Sequence, residues 1–377
     1  MEQELERPAW LEIKMKALAK NYKFIRSKLN KKTKIAAVVK ADAYGHGAVK
    51  IAKKLVCLGT EYLCVGSPEE GIELRNAGLE VPILVLAEVL PAQYQSILAG
   101  DLIQTAASRE TLFALNKFAA KNNKKIKIHL KCDTGMGRIG FLPEELFEVY
   151  KLALSLDNLK LEGIFSHLAR ADETEKEFSN KQLARFDCAL NKIKKSNFKL
   201  PLIHIANSAA VIDLKATYLD LVRPGIILYG LLPSAELKEE SFLEPILEFK
   251  TKIVQLRELP PASTISYGST YKTEASEKLA VLPIGYKDGY PRLLSNQGEV
   301  LIRGQRAPIR GKVCMGQTIV SVEEIENAAI GDEVVLIGKQ GTAEITAAEI
   351  AKLASTISYE IVCNLDRNLK KIYLEDQ

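Results

Sequence analysis

A lysine at the end of a short apolar run is the first residue of this chain that could do chemistry. The run Ile35–Lys40 reads IAAVVK and predicts a buried strand, and the small, aromatic and glycine residues that follow it up to Val49 predict a loop. At the C-terminal end of a parallel strand, Lys40 would face the mouth of an α/β fold, where desolvation lowers the pKa of an amine and makes it a usable nucleophile or base. An ordinary surface lysine that caps a strand is the alternative. Tyr44 and the small residues beside it favour a bound ligand, because small residues let a ligand approach the backbone closely.

Eight further short blocks follow this lysine segment along the chain. They are KCDTGMGRIGF (131–141), FSHLARADE (165–173), HIANSAA (204–210), VRPGIILYG (222–230), ISYGSTY (265–271), LPIGYKDGY (282–290), VCMG (313–316) and SYE (358–360). Together with VVKADAYGHG (38–47), these blocks resemble, in order and in register, the motifs of alanine racemases. In that family the lysine of the first block holds pyridoxal 5′-phosphate (PLP) as a Schiff base. The resemblance therefore predicts PLP as the cofactor and Lys40 as its anchor.

The phosphate of such a cofactor is a dianion that needs hydrogen-bond donors, and barrels often supply them after strands seven and eight. Ser208 is predicted to begin a helix after strand seven, although a serine there could equally be an ordinary N-cap. The resemblance places the phosphate against a set of cofactor-binding residues, which are Ser208, Gly225, Ile226, Tyr44 and Tyr359.

The resemblance also places Arg223 opposite the pyridine nitrogen of the cofactor. An arginine stays protonated and cannot give that nitrogen a proton, so the ring becomes a weaker electron sink and side reactions such as transamination are suppressed. A structural arginine at the mouth of the barrel is the alternative interpretation.

Racemisation requires that a proton leaves one face of the substrate Cα and that another arrives at the opposite face, which two bases can do directly. The resemblance assigns Lys40 to the D-face and Tyr267 to the L-face. A phenol with an ordinary pKa near 10 is protonated at neutral pH and is then a poor base. His167, linked onward to Arg223, is predicted to lower the pKa of Tyr267. A histidine that ends a strand can also be a satisfied core residue, and the role of His204 stays open.

Substrate contacts are predicted from three of the blocks. Arg138 suits a carboxylate, since its guanidinium donates two parallel hydrogen bonds. The resemblance adds the backbone N–H of Met315 as a second carboxylate donor and Tyr286 as part of a narrow entrance. Lys131 occupies a position that is often carbamylated in the family, which would give Arg138 an anionic neighbour. An uncharged or solvent-reaching lysine is the alternative.

Composition excludes several other classes of protein. The chain has 377 residues, of which 47% are hydrophobic and 26% charged, with a net charge of +5. Its basic runs are short and scattered, so we expect no nucleic-acid partner. The first ten residues lack an apolar stretch and no apolar run is long enough to cross a bilayer, so we expect a cytoplasmic protein without membrane contact. The four histidines and six cysteines show no metal-ligand spacing, so we expect no metal.

Eight apolar runs alternate with helical patterns up to about residue 238, which predicts a (β/α)8 barrel with its site at the C-terminal ends of the strands. The runs are 35–40, 62–66, 83–87, 102–107, 126–132, 161–168, 202–207 and 219–225. Helical patterns are predicted at 69–76, 109–120, 144–156 and 175–194, with caps at Ser67 and Ser108. Alternating strand patterns then predict a mainly β C-terminal domain. We therefore assign residues 10–238 to a PLP-binding barrel and 239–377 to the β-rich domain, with residues 1–9 pairing with it.

The sequence thus predicts a PLP-dependent racemase that interconverts L-alanine and D-alanine for peptidoglycan synthesis. We expect a homodimer in which each site takes Lys40 from one chain and Tyr267 and Met315 from the other. Gly316 stands where the family usually has an acidic residue, so a serine or broad-specificity racemase is the near alternative. A non-catalytic PLP-binding protein on the same barrel is the distant alternative, although such proteins typically lack the second domain.

Overall fold

The computed structural model describes residues 7–196, 198–237 and 243–375, and these form two compact units. One unit holds the described residues as far as Leu18, the segment Tyr44–Gly47, and the residues from Pro245 onward. The other holds Ala19–Ala43 and Ala48–Glu244. The predicted domain boundary between 238 and 239 lies outside the described residues and stays a prediction, as do the predicted contacts of residues 1–6.

The second of these units is a closed barrel of eight parallel strands, which confirms the predicted (β/α)8 architecture. The strands are Lys34–Val38, Tyr62–Val65, Ile83–Val85, Ile103–Ala106, Ile126–Lys131, Leu159–Phe165, Leu202–His204 and Leu221–Val222. Each strand pairs with the next in the chain, and the last pairs with the first through Lys34 opposite Leu221 and Ile35 opposite Val222. Because most strand residues are buried on both faces, these strands appear in the sequence as nearly continuous apolar runs.

Helices follow most of the barrel strands. The α-helices before residue 214 are Met15–Lys28, Ala48–Cys57, Pro68–Asn76, Tyr94–Ala99, Arg109–Lys121, Leu146–Ser155, Glu177–Lys195 and Ser208–Asp213. A short helical turn of left-handed backbone occurs at Lys40–Tyr44, and 3₁₀ turns occur at Pro91–Gln93, Lys215–Thr217 and Ile226–Tyr229. The predicted caps are present, since Ser108 accepts a hydrogen bond from the Thr111 N–H at 3.1 Å and Ser67 accepts one from Glu70. Two predicted helices begin about two residues late, at Leu146 and Glu177.

The β-rich unit contains a seven-stranded sheet, counted over the described residues, whose members lie far apart in the chain. Its main path runs Gln305–Pro308, Glu299–Ile302, Glu333–Gln340, Leu247–Lys252, Ala9–Lys14 and Lys370–Leu374, and Ala343–Ile345 pairs with Glu333–Gln340. The N-terminal strand Ala9–Lys14 is antiparallel to Leu247–Lys252 and parallel to Lys370–Leu374.

Smaller elements complete this unit. A three-stranded sheet joins Gln255–Leu259, Glu277–Leu282 and Thr318–Ser321, and a two-stranded one joins Thr264–Ile265 and Tyr271–Lys272. The helices are Ala347–Leu353 and Ser358–Cys363, and 3₁₀ turns occur at Tyr267–Ser269, Tyr286–Asp288 and Arg292–Leu294.

Candidate active site

Lys40 opens a left-handed helical turn, where the sequence predicted the end of a strand and then a loop. The strand ends at Val38, and in the turn Lys40–Tyr44 the φ angles of Ala41, Asp42 and Ala43 are 53, 53 and 52°. The apolar run was therefore read two residues too far, because Val39 is buried without being part of the strand. Left-handed helical backbone costs about 1–2 kcal/mol for each L-residue, so this turn must be held by its surroundings.

Asp42 supplies one of the contacts that hold the turn. Its Oδ1 accepts a hydrogen bond from the Ala48 N–H at 2.8 Å, which joins the turn to the first residue of the helix Ala48–Cys57. The Ala43 N–H donates to the Val39 carbonyl at 2.9 Å. Asp42 had no predicted role. Aspartate tolerates positive φ, and its short carboxylate commonly bonds to nearby backbone N–H groups, as it does here.

Arg223 follows the last barrel strand and is only 3% exposed. Its Nη2 donates to the Ser166 carbonyl at 2.7 Å and to the Ile205 carbonyl at 3.1 Å, and its Nη1 lies 2.6 Å from Nδ1 of His204. Among the described residues, no carboxylate forms an ion pair with it and no acceptor contacts its Nε. Burial lowers the pKa of Arg223 to about 10, so it stays a cation at neutral pH.

The hydrogen bonds of Arg223 determine which nitrogen of each nearby histidine carries hydrogen. A guanidinium can only donate, so Nδ1 of His204 must accept and Nε2 must bear the hydrogen, which it donates to Nδ1 of His129 at 2.9 Å. The Nε2 of His129 is then a buried donor without a partner in the described part of the chain. His129 had no predicted role. Its position as a polar residue inside the apolar run IKIHLKC was the available sign that it is buried and hydrogen-bonded.

His167 is half-buried beside the same arginine, with Nη2 of Arg223 at 3.3 Å from its Nδ1. Its Nε2 therefore carries the hydrogen and is a donor. Burial, together with the charge of Arg223, lowers the pKa of His167 and of His204 well below 6.5, and that of His129 to about 3. All three imidazoles are consequently neutral at neutral pH.

Lys131 ends the fifth barrel strand with only 2% of its surface exposed, so it does not reach solvent. Its Nζ donates to the Cys132 carbonyl at 2.9 Å and lies 5.4 Å from the ring centre of Phe165. The Arg223 guanidinium lies 5.2 Å from the same ring centre. Burial and the charge of Arg223 lower the pKa of Lys131 to about 8. Two cations thus share a buried region in which the described residues place no carboxylate paired with either.

Arg138 is exposed, and its loop is organised by Asp133. The Asp133 carboxylate accepts hydrogen bonds from four successive backbone N–H groups, those of Gly135, Met136, Gly137 and Arg138, at 2.8 to 3.2 Å. Partial burial raises the pKa of Asp133, but these backbone donors and Lys131 outweigh it and hold the pKa below its ordinary value. The D-T-G-M-G sequence was a usable signal for this turn, since an aspartate before glycines commonly bonds to the following amides.

Ser208 joins the ends of strands seven and eight. It is the first residue of the helix Ser208–Asp213, but the N-cap is Asn207, whose side chain accepts from the Ala210 N–H at 3.1 Å. The Ser208 Oγ instead accepts from the Gly225 N–H at 2.8 Å, which leaves its own hydroxyl hydrogen to donate elsewhere. Ile226 begins the 3₁₀ turn that follows Gly225.

The other predicted site residues belong to the β-rich unit. Tyr267, Met315 and Tyr286 are exposed in the single chain, by 72, 59 and 43%. The rings of Tyr44 and Tyr359 lie 6.0 Å apart. Sequence reasoning thus named two groups, one at the strand ends of the barrel and one in the β-rich unit.

Two negative findings concern the described residues alone. They contain no cluster of histidine, cysteine, aspartate or glutamate that could hold a metal ion. Among the helices of this part of the chain, none combines the length and the apolar character needed to cross a membrane.

Two family models match the chain, namely the N-terminal domain of alanine racemase over residues 13–233 and its C-terminal domain over 246–373. The alanine racemase of Halothermothrix orenii is 51% identical over 99% of this chain and 98% of its own length. The chain belongs to the alanine racemase family. This confirms the predicted family and the prediction that the chain is an isomerase.

Solved structures agree with this assignment. The alanine racemase of Clostridium difficile 630 superposes with a TM-score of 0.93 at 37% identity, covering 99% of this chain and 97% of that one. The alanine racemase of Bartonella henselae has a TM-score of 0.88 at 30% identity and covers 97% of this chain and 99% of its own. That structure is described as having covalently bound pyridoxal phosphate, and the predicted cofactor is confirmed at the level of the family.

Proposed function

We propose that this protein interconverts L-alanine and D-alanine with PLP as its cofactor. The observation that carries the proposal is Arg223, a buried cation whose neighbours are neutral histidines and carbonyls rather than carboxylates. A protein-only role would normally pair such a charge. Its unused Nε–H suits the ring nitrogen of PLP, which can accept a hydrogen bond but would receive no proton from an arginine.

The barrel residues fit the rest of the cofactor as well. Lys40, in the left-handed turn that follows the first barrel strand, would bind it covalently. The Ser208 hydroxyl hydrogen can be donated to the phosphate. The backbone N–H of Ile226, the first residue of the nearby 3₁₀ turn, can donate to it as well. We assign Gly225, Tyr44 and Tyr359 to the same phosphate group. When bound, PLP supplies an electron sink for the pair of electrons left as the Cα–H bond of the amino acid breaks.

Two residues of the chain would move the protons. Lys40 takes or returns the Cα proton on the D-face, and Tyr267 does so on the L-face. His167 supports Tyr267, because a neutral imidazole that accepts from Arg223 at Nδ1 carries hydrogen on Nε2 and can stabilise a phenolate by donating to it. Arg223 therefore serves both the cofactor ring and, through His167, the phenolic base.

We further propose that the working unit is a homodimer with shared sites. Tyr267 and Met315 are large apolar or aromatic residues that a single chain leaves mostly exposed, as expected for groups that complete a partner's site. Met315 would offer its backbone N–H to the substrate carboxylate, with Arg138 as the second donor. Tyr286 would narrow the entrance.

Carbamylation of Lys131 is part of the same proposal. A buried cation beside Arg223 is unfavourable, and a lysine with its pKa lowered to about 8 has an appreciable neutral fraction that can react with carbon dioxide. The amine nitrogen bonds to the carbon, one proton is released, and the product is an anion. This replaces repulsion among Lys131, Arg138 and Arg223 with attraction.

Cytoplasmic location and a supply of D-alanine for peptidoglycan complete the proposal. In support, the six cysteines of the chain are free thiols, as expected in a reducing compartment.

A racemase assay of the PLP-loaded protein tests the central claim. The protein is incubated with each of a panel of L-amino acids, and the circular dichroism of the amino acid is followed. Alanine should lose its signal fastest. If serine loses it as fast, the enzyme is a broader racemase, an outcome that the glycine at 316 favours. Loss with neither amino acid would overturn the proposed activity and favour a non-catalytic PLP-binding protein.

A further inference from the structure

Glu70 bonds the turn after Lys40 to a neighbouring loop of the barrel. One carboxylate oxygen, Oε1, accepts from the Ala41 N–H at 2.7 Å, and the other, Oε2, accepts from the Gly66 N–H at 2.6 Å. Glu70 is the third residue of the helix Pro68–Asn76, whose N-cap is Ser67. A glutamate in this position ordinarily bonds back to the N–H of its own cap. Here it bonds to the residue before the cap and to a different barrel loop.

Both amides that Glu70 holds lie close to Lys40. Ala41 follows Lys40 directly and is the first residue of the turn with positive φ. At Gly66, an added Cβ would come within 3.5 Å of the Lys40 Cβ and 3.8 Å of its Cδ, so Gly66 flanks the lysine side chain. A single carboxylate therefore fixes the backbone on one side of Lys40 and the glycine that borders its side chain.

The turn has reason to depend on this carboxylate. Alanine at positive φ is strained, and Ala41 and Ala43 offer no side-chain hydrogen bond that would favour the left-handed form. Hydrogen bonds to a charged group are the strongest that a backbone amide makes, and an unsatisfied amide is unfavourable. Without Glu70 the right-handed conformation of the turn becomes relatively more stable. The direction of the Lys40 Cα–Cβ bond changes with the conformation.

We propose that Glu70 is a positioning residue for Lys40. Its carboxylate holds the left-handed turn in which the lysine amine is presented to the cofactor and to the D-face of the substrate. This inference rests on the proposed function, because it assigns Lys40 the role of cofactor anchor. Glu70 itself acts through the backbone and does not touch the reacting atoms.

The test measures attachment of PLP to the apoprotein, followed by visible absorbance and by borohydride trapping on the Lys40 peptide. The variant Glu70→Gln keeps the size of the side chain but replaces one acceptor with a donor that faces an N–H group. Its attachment rate constant should fall about ten- to hundredfold, the range expected for the loss of one or two charge-assisted hydrogen bonds. Glu69→Gln is the matched control, because the Glu69 carboxylate is exposed and accepts from Gln93 instead. It should attach PLP at the wild-type rate.

Thermal unfolding of the apoproteins separates positioning from a general effect on folding. We expect folded Glu70→Gln protein whose attachment is slow per folded molecule. Attachment at the wild-type rate per folded molecule, with only the unfolding temperature lowered, would overturn the proposal. If Glu70→Gln does not fold, Glu70→Asp is measured instead. It keeps the charge but is too short to hold both amides, so it should attach PLP slowly, and a wild-type rate overturns the proposal.

The wild-type protein distinguishes this inference from the proposed function. If borohydride places the cofactor on a lysine other than Lys40 in the wild type, the proposed function fails at its anchor. If the wild type is labelled at Lys40 and Glu70→Gln is labelled as fast, only the role of Glu70 fails.

Discussion

Arg223 donates to His204 across 2.6 Å, and this contact sets the tautomers of two buried histidines, His204 and His129. Because the guanidinium cannot accept, His204 must carry its hydrogen on Nε2 and pass a hydrogen bond on to His129. The stacked ring of Phe165, parallel to that of His204 at 4.9 Å, keeps the imidazole in place. Arg223 thus has a fixed orientation before any ligand binds.

Replacing His204 by phenylalanine should destabilise the apoprotein. The new phenyl ring would keep the stacking on Phe165 but leave a donor of the buried Arg223 without an acceptor, at a cost of about 1–3 kcal/mol in the free energy of unfolding. Urea denaturation measures the change. His204→Asn is the control, since its side-chain oxygen can accept near the position of Nδ1, and it should lose less. Equal losses in the two variants would mean that packing, not the hydrogen bond, is what matters.

Carbamylation of Lys131 should depend on pH in a direction that follows from its lowered pKa. Below about pH 8 the amine is mostly charged and unreactive, and above it the neutral form dominates. Labelled carbon dioxide should therefore appear on Lys131 increasingly between about pH 7 and 9. Carbon-13 NMR of the carbamate carbon gives the readout, and Lys131→Arg should give no such signal. No carbamate at about pH 8 in the wild type would refute this assignment.

The stability of protein that is not carbamylated provides an independent check on the lowered pKa of Lys131. This pKa is about 8 in the folded state and near the ordinary 10.5 when unfolded. Between these values the unfolded state binds more protons, so this group makes the folded state more stable as pH rises from about 8 toward 10. Below that window both states are protonated and its contribution no longer changes. Urea denaturation across this range, compared with Lys131→Met, should show the difference, and parallel curves would contradict it.

Tyr267→Phe should separate the two faces of the substrate. Exchange of the Cα proton into deuterated water should fall far more from L-alanine than from D-alanine, because only the L-face base is lost. Lys40→Ala, rescued by an added amine that replaces the missing lysine amine, should show the opposite bias. Equal losses from both enantiomers would indicate one base, or a role for Tyr267 in binding alone.

Gly316→Asp should shift selectivity from serine toward alanine. A Cβ at this position would lie 3.0 Å from the Cε and 3.4 Å from the Nζ of Lys287, so the new carboxylate would displace the lysine or pair with it. We expect the ratio of kcat/KM values for the two amino acids to change by about 1–3 kcal/mol in free energy. Lys287→Ala removes the cation without adding a carboxylate and separates the effect of space from that of charge. An unchanged ratio in Gly316→Asp would show that this position does not set selectivity.

Mixing two inactive variants tests the shared site. Lys40→Ala and Tyr267→Ala chains, co-expressed, should form mixed dimers in about half of the assemblies. Each mixed dimer has one site with both lesions and one with none, so activity should return to about a quarter of the wild-type value. If each chain builds its own site, no mixed dimer has an intact one. Activity would then stay at the level of the separate variants.

The barrel was predictable from the sequence because its strands are buried on both faces, which leaves continuous apolar runs that differ clearly from the amphipathic helices. All eight predicted runs overlap a barrel strand. Arg223 and His167 were identified from the resemblance to alanine racemases, and the two side chains do lie together.

The backbone around Lys40 was not predictable in the same way. Alanine has the highest preference for right-handed helix, so Ala41 and Ala43 carried no warning of a left-handed turn. Glu70 was visible only as part of an ordinary helix start after Ser67, since one of its partners, the Ala41 N–H, lies 29 residues away in the chain. The role of His129 was likewise not predictable, because it depends on the hydrogen bond that His204 donates to it. That contact follows only from the relative positions of three strands.

The strand Ala9–Lys14 has a consequence for how the chain is made. It pairs along one edge with Leu247–Lys252 and along the other with Lys370–Leu374, so neither edge can be satisfied until most of the protein has left the ribosome. The barrel residues between them can fold earlier, since domains fold as units during synthesis. Until then Leu11 and Ile13, which are fully buried in the folded protein, belong to an unpaired strand that could pair with another chain. A chain that stops short of Lys370 keeps one of these edges open permanently.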